Sequence, residues 1–132
     1  TVRGREHFYA SVCAACHQPQ FTTASLDGEF AHLGDQEIWP YTDLLLHDMG
    51  PELADGREDY EATGSEWRTA PRWGVGWSRQ AIGVTTMLHD GRARSVEEAV
   101  LWHGGEGGRA REAFTHLSKT DRDALVAFVM SL

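Results

Sequence analysis

Apolar and polar positions follow a helical period only near the two ends of the chain. Wound at 3.6 residues per turn, residues 4–16 place Phe8, Tyr9, Val12 and Cys16 on one face and predict a helix. Gln18-Pro19 should stop it near His17. Towards the C-terminus three segments carry their own start and stop signals. Ser95-x-x-Glu98 reads as a capping box that opens a helix to about His103, closed by Gly104-Gly105. Arg109 to Leu117 is a second short helix. Ser118-x-x-Asp121 caps a third, whose apolar stripe is Leu125, Phe128, Val129 and Leu132. Between these ends, residues 18–94 show little periodicity and hold most of the Gly, Pro, Trp and Asp. A short helical turn is expected around Tyr41 to His47, and residues 48–64 are acidic and turn-rich. A segment this long without periodicity inside a compact domain points to function rather than framework.

Composition narrows the classes. At 132 residues, one domain spanning 1–132 is the default, and a hydrophobic fraction of 41% is ordinary for a globular chain. No stretch approaches the ~20 apolar residues of a membrane span. The net charge of −8 disfavours nucleic acid, which asks for a basic stripe. It favours a basic or neutral protein partner.

The two cysteines are three residues apart, in Cys13-Ala14-Ala15-Cys16-His17. C-x-x-C-H is the attachment pattern of c-type haem. Two thiols add to the two vinyl groups, the intervening pair spans the separation, and the adjacent histidine meets the iron. A thioredoxin-like pair would need a βαβ context, and a zinc site two further ligands at paired spacing; neither pattern is present. One covalent haem c is therefore expected, with His17 as proximal ligand. Covalent attachment also implies a periplasmic or otherwise extracytoplasmic location, with an export signal ahead of Thr1.

Candidates for the second axial ligand are Met49, Met87, Met130 and histidines 7, 32, 47, 89, 103 and 116. Met130 lies beside an apolar stripe, His116 near a helix end, His32 in a polar loop, and His7 on the haem-bearing helix itself. His103 shares a stripe with Val96, Ala99 and Val100, which turns its imidazole towards the core. It leads; Met49, in the turn His47-Asp48-Met49-Gly50-Pro51, is the runner-up. Methionine would raise the potential and a second histidine lower it.

With CAACH, PYTDLLLHDMGPELADG (40–56), GSEWRTAPRWGVG (64–76), LHDGRARSVEEAVLWHGGEG (88–107) and LVAFVMSL (125–132) in order, the chain resembles the C-terminal haem domain of the bacterial di-haem peroxidase superfamily. That superfamily includes the di-haem cytochrome c peroxidases and the methylamine-utilisation di-haem enzyme. The nearest likeness is to the branch labelled di-haem "thiol oxidoreductase-like". The resemblance implies a distal ligand three residues after an E-E-A-V-like stretch, which is His103 here, where peroxidases place methionine and the methylamine enzyme tyrosine. It implies that His89-Asp90-Gly91 turns near the haem edge and that Trp67, Arg68, Trp73 and Trp77 line the pocket. Arg68 or Arg92 would pair a propionate. Members carry two haem motifs and this chain one, matching the electron-delivery haem, so peroxidase activity is not carried over. The family's calcium has a weak counterpart in the acidic loop Asp55 to Glu66, which reads better as solvated.

The expected fold is all-α and cytochrome c-like. Phe8 and Val12 of the first helix should meet Leu125, Phe128 and Val129 of the last, and the middle segment should wrap the haem. The expected function is one-electron transfer by six-coordinate, bis-histidine iron. Its partner would be a redox protein or a second haem domain. The rivals are a peroxidase-type site with an open distal position and a small-gas binding module. Nothing supports thiol chemistry, since haem takes both cysteines.

Overall fold

Helices from opposite ends of the chain form the frame of this computed structural model, which describes residues 1–83 and 86–132. Helix α1 (Val2–Ala10) opens at Thr1, whose Oγ1 accepts from Gly4 N at 3.1 Å. Helix α5 (Lys119–Val129) opens at Ser118, whose Oγ accepts from Asp121 N at 3.2 Å. Each cap satisfies a backbone donor that the helix cannot. The pair closes over an aromatic cluster. Phe8 meets Phe128 and Tyr41 edge-on, at ring separations of 5.5 and 5.9 Å. Phe8 is 3% exposed, and burying a ring of this size contributes roughly 1.5–3 kcal/mol.

Polar contacts fix the same crossing. Arg3 Nη2 and His7 Nε2 both reach Asp121 Oδ1, at 2.6 and 2.7 Å. Hydrogen bonds from Ser118, Arg3 and His7 hold the Asp121 carboxyl down to about 2. A carboxylate with a depressed folded-state pKa stabilises above its unfolded value near 3.8, and loses that contribution as pH falls towards 2. Asp121→Asn is therefore expected to lower the urea midpoint at pH 6. Its own midpoint should then fall less than the native protein's between pH 5 and pH 2.5. Equal acid sensitivity in the two would exclude this role.

The remaining helices are α2 (Ser78–Ile82), α3 (Val96–Leu101) and α4 (Gly108–His116). Ser95 caps α3 by accepting from Glu98 N at 3.0 Å, while Glu98 turns back to Arg94 N at 3.0 Å. Val96 and Ala99 of α3 join Met87 and Ala93 in a second core cluster.

Four short strands correct the expectation of an all-α fold: the chain is mixed α/β. Strands β1 (Phe21–Thr22) and β2 (Glu37–Ile38) pair antiparallel, as do β3 (Leu46–Asp48) and β4 (Glu66–Arg68). Sequence patterning misses β3 and β4 because their inward residues are His47 and Trp67, which face each other across the ladder. Neither strand shows apolar alternation. The expected helical turn at 41–47 is absent for a related reason. Tyr41 (φ 54°) and Leu44 (φ 62°) take left-handed conformations, which interrupt a right-handed helix.

The first helix is also shorter than expected. It ends at Ala10, and Val12 sits at φ 58°, ψ 13°. A β-branched residue there is strained. The kink redirects the chain, so that Cys13–Ala15 forms a separate 3₁₀ turn.

Candidate functional site

That turn brings the C-x-x-C-H segment to the wall of a cavity of about 680 Å³, within the roughly 300–1,000 Å³ of small-molecule pockets. Cys13, Cys16 and His17 line it, with Val100 of α3 and His103 just beyond its end. Leu53 and Leu125, each 1% exposed, supply apolar wall. An open groove beside Tyr9, Pro19 and Trp39 contains none of these residues.

Both histidines are prepared in the same way. His17 Nδ1 lies 3.2 Å from the Tyr41 carbonyl oxygen, and His103 Nδ1 lies 2.7 Å from that of Ala99. A carbonyl only accepts, so Nδ1 carries the proton in each ring and Nε2 keeps its lone pair. Burial, reinforced by the positive charge of Arg72, keeps both rings neutral. His17 is pushed down to about 3, and His103 moves in the same direction. A neutral imidazole with a fixed tautomer is the form that ligates a metal.

The thiols are held neutral as well. Burial pushes Cys13 up to about 11. Cys16 is raised first by burial, then by Asp43 and Glu106. A redox-active C-x-x-C pair shows the reverse, a depressed thiol.

Met49 lines the same cavity, and both it and His103 border Gly107. A Cβ built on Gly107 would sit 3.1 Å from both the Met49 Cε and the His103 Cδ2. The close approach of the 48–50 segment depends on Gly105. Its φ is +45°, and its Cβ would strike the Asp48 carbonyl oxygen and lie 2.8 Å from Gly50 N. The glycines after His103 thus serve the approach of the 48–50 segment.

Sequence reasoning missed the two carboxylates that bracket His47. Its Nδ1 meets Glu106 Oε2 and its Nε2 meets Asp43 Oδ2, both at 2.8 Å. The hydrogen bond to Glu106, then that to Asp43, raises the imidazole above its ordinary value. Cys16, Asp43 and His47 are spaced to hold a metal ion, but both ring nitrogens are already engaged from opposite edges of the ring.

The other expected pocket residues separate. Trp67, Arg68 and His89 line the cavity. Trp67 and His89 stack at 3.5 Å with their planes 5° apart. Trp73 and Trp77 are 55% and 67% exposed and lie outside the lining. The left-handed turn at Gly74, whose N–H donates to Leu132 O at 2.9 Å, carries that stretch to the C-terminus. Arg92 is engaged elsewhere: it reaches Asp90 Oδ2 and Glu52 O, each at 2.6 Å, and lies over Trp102. The acidic loop closes on its own backbone through Asp55 N to Gly64 O at 3.0 Å, and Asp55 Oδ1 accepts from Arg57 N.

Whether a haem suits this cavity can be judged from what the protein leaves unpaired. The wall is mainly apolar, as a macrocycle needs. The Trp67 Nε1 is buried and has no partner among the described residues. The Arg72 guanidinium lines the cavity and has no ion-pair partner among them either. Two neutral imidazoles, two free thiols and two orphaned donors suit a flat apolar ring with anionic substituents.

The family model described as "Di-haem oxidoreductase, putative peroxidase" matches residues 1–132. The chain belongs to the di-haem oxidoreductase family. Haem is therefore the cofactor of this di-haem oxidoreductase chain, and haem-based oxidation–reduction is its chemistry. Neither the curated proteins nor the solved structures contain a match.

Proposed function

We propose that this di-haem oxidoreductase chain is a c-type cytochrome domain that carries one covalent haem and transfers single electrons. Cys13 and Cys16 would form the thioethers, and His17 and His103 the two axial bonds. One observation carries the reading: His17 and His103 line a single, mainly apolar cavity, each with Nδ1–H tied to a backbone carbonyl and Nε2 without a partner among the described residues. When bound, haem supplies a one-electron iron couple. The chain's own part is to keep both imidazoles neutral and oriented, and to exclude water with Leu53, Leu125 and Val129. Two fixed nitrogen ligands would keep the coordination sphere alike in both oxidation states, which favours transfer over ligand binding.

The partner would be a second haem domain or a separate redox protein, and the setting extracytoplasmic, as thioether attachment requires. Absorption and near-infrared magnetic circular dichroism of both oxidation states, with and without CO, test the proposal. Low-spin bis-histidine signatures without a CO adduct are expected. High-spin iron that takes up CO would overturn the electron-carrier reading and favour a peroxidase-type site. Cys13→Ala/Cys16→Ala should abolish the covalent pyridine haemochrome.

A further inference from the structure

We propose that Arg72 and the indole N–H of Trp67 form the seat of the haem carboxylates, two donors that line the cavity without partners among the described residues. The inference rests on the haem reading above.

Arg72 is anchored through its backbone, whose N–H donates to Pro40 O at 2.8 Å. Its side chain lines the cavity, and burial pulls the guanidinium below its ordinary pKa. Other arginines have partners: Arg3 pairs with Asp121, Arg92 with Asp90, and Arg94 with Glu98. Arg72 has none among the described residues. Removing a guanidinium from water without a counter-charge is costly. An anion delivered by a ligand removes that cost, and a carboxylate fits the planar fork in two parallel hydrogen bonds.

Arg72 lines the same cavity as Cys13, Cys16, His17 and His103, so a carboxylate carried on a ring held there would come within its reach.

Trp67 supplies the second donor. Its Nε1 is buried and has no partner among the described residues, and the ring is held by the stack with His89. The 67–72 segment is pinned between these donors. Thr42, fully buried, donates from Oγ1 to Thr69 O at 2.5 Å, and Thr69 N donates to Leu45 O at 3.0 Å. Arg68 also lines the cavity, but its side chain is exposed and needs no counter-ion. A positive charge beside the ring favours the reduced iron, so Arg72 would raise the potential.

The test uses the covalently loaded protein and the variants R72Q, R72K, W67F and R68Q. The midpoint potential is read by spectroelectrochemistry and the propionate bending band by resonance Raman, with haem content checked by pyridine haemochrome. R72Q should lower the potential and shift the band. R72K should restore most of the potential without restoring the band, because an ammonium lacks the fork. W67F should shift the band. Should R72Q not fold, R72K and W67F still decide, and an unmoved band in both overturns the proposal. So does a band that responds to R68Q and not to R72Q. A native protein without covalent haem would sink the haem reading itself, whereas full haem with a silent R72Q sinks only this assignment.

Discussion

His103→Ala is expected to convert the ferrous protein from one that ignores CO to one that binds it nearly completely, with high-spin iron in place of low-spin. The imidazole is prepared for ligation by the 2.7 Å hydrogen bond to Ala99 O and by burial that keeps it neutral. If His103 holds the iron as proposed, removing it would leave an open coordination position inside an apolar cavity, the usual condition for CO binding. Met49 is the rival in the same lining, since its methyl group and the His103 ring both border Gly107. Met49→Leu should therefore leave the spectrum unchanged, because leucine keeps the packing and removes only the sulfur. If Met49→Leu abolishes the low-spin state and His103→Ala does not, the distal ligand is the methionine. His103→Met should keep six-coordination and raise the potential, since thioether sulfur stabilises the reduced iron.

Gly4→Ala should destabilise the fold by about 2–3 kcal/mol, in the range of overpacked interfaces. At this chain length that lowers Tm by roughly 10 °C. On an isolated helix the same change would be favourable by about 1 kcal/mol, so the sign of the effect is the test. Gly4 is buried where α1 crosses α5. A Cβ there would strike the Ala124 carbonyl oxygen and lie 2.7 Å from the Phe128 Cβ. The first obstacle is backbone, which cannot rotate away as a side chain can. The helices would have to separate, loosening the Phe8–Phe128 contact and the wall formed by Leu125 and Val129. Thermal melts of the native and Gly4→Ala proteins, with haem loading matched, measure it. An unchanged or raised Tm would show that the crossing is not close-packed at Gly4.

The features legible in the sequence are those encoded over a few residues. Thr1, Ser95 and Ser118 stand at helix starts, and Ser95-x-x-Glu98 and Ser118-x-x-Asp121 announce two of them, because a cap is a contact between residues three apart. The aromatic and aliphatic faces of the first and last helices are periodic, so their packing through Phe8 and Phe128 could be anticipated. The five residues from Cys13 to His17 announce haem chemistry by spacing alone, and the family match agrees that haem is the cofactor.

Other features depend on residues distant in the chain, and only the tertiary structure decided them. Strands β3 and β4 carry polar or aromatic inward residues and pair across 20 positions of register, so no local period marks them. The left-handed Val12, which ends α1 early and turns the cysteines to the cavity, breaks the preference of its own residue type. Arg68 and Arg72 look alike in sequence and both line the cavity, but burial separates them: Arg68 is exposed, while Arg72 is withdrawn from water and has no ion-pair partner among the described residues. The bracketing of His47 by Asp43 and Glu106 joins residues 59 positions apart at its longer arm. A charge has value only relative to its neighbours and its distance from water, and the fold alone sets both.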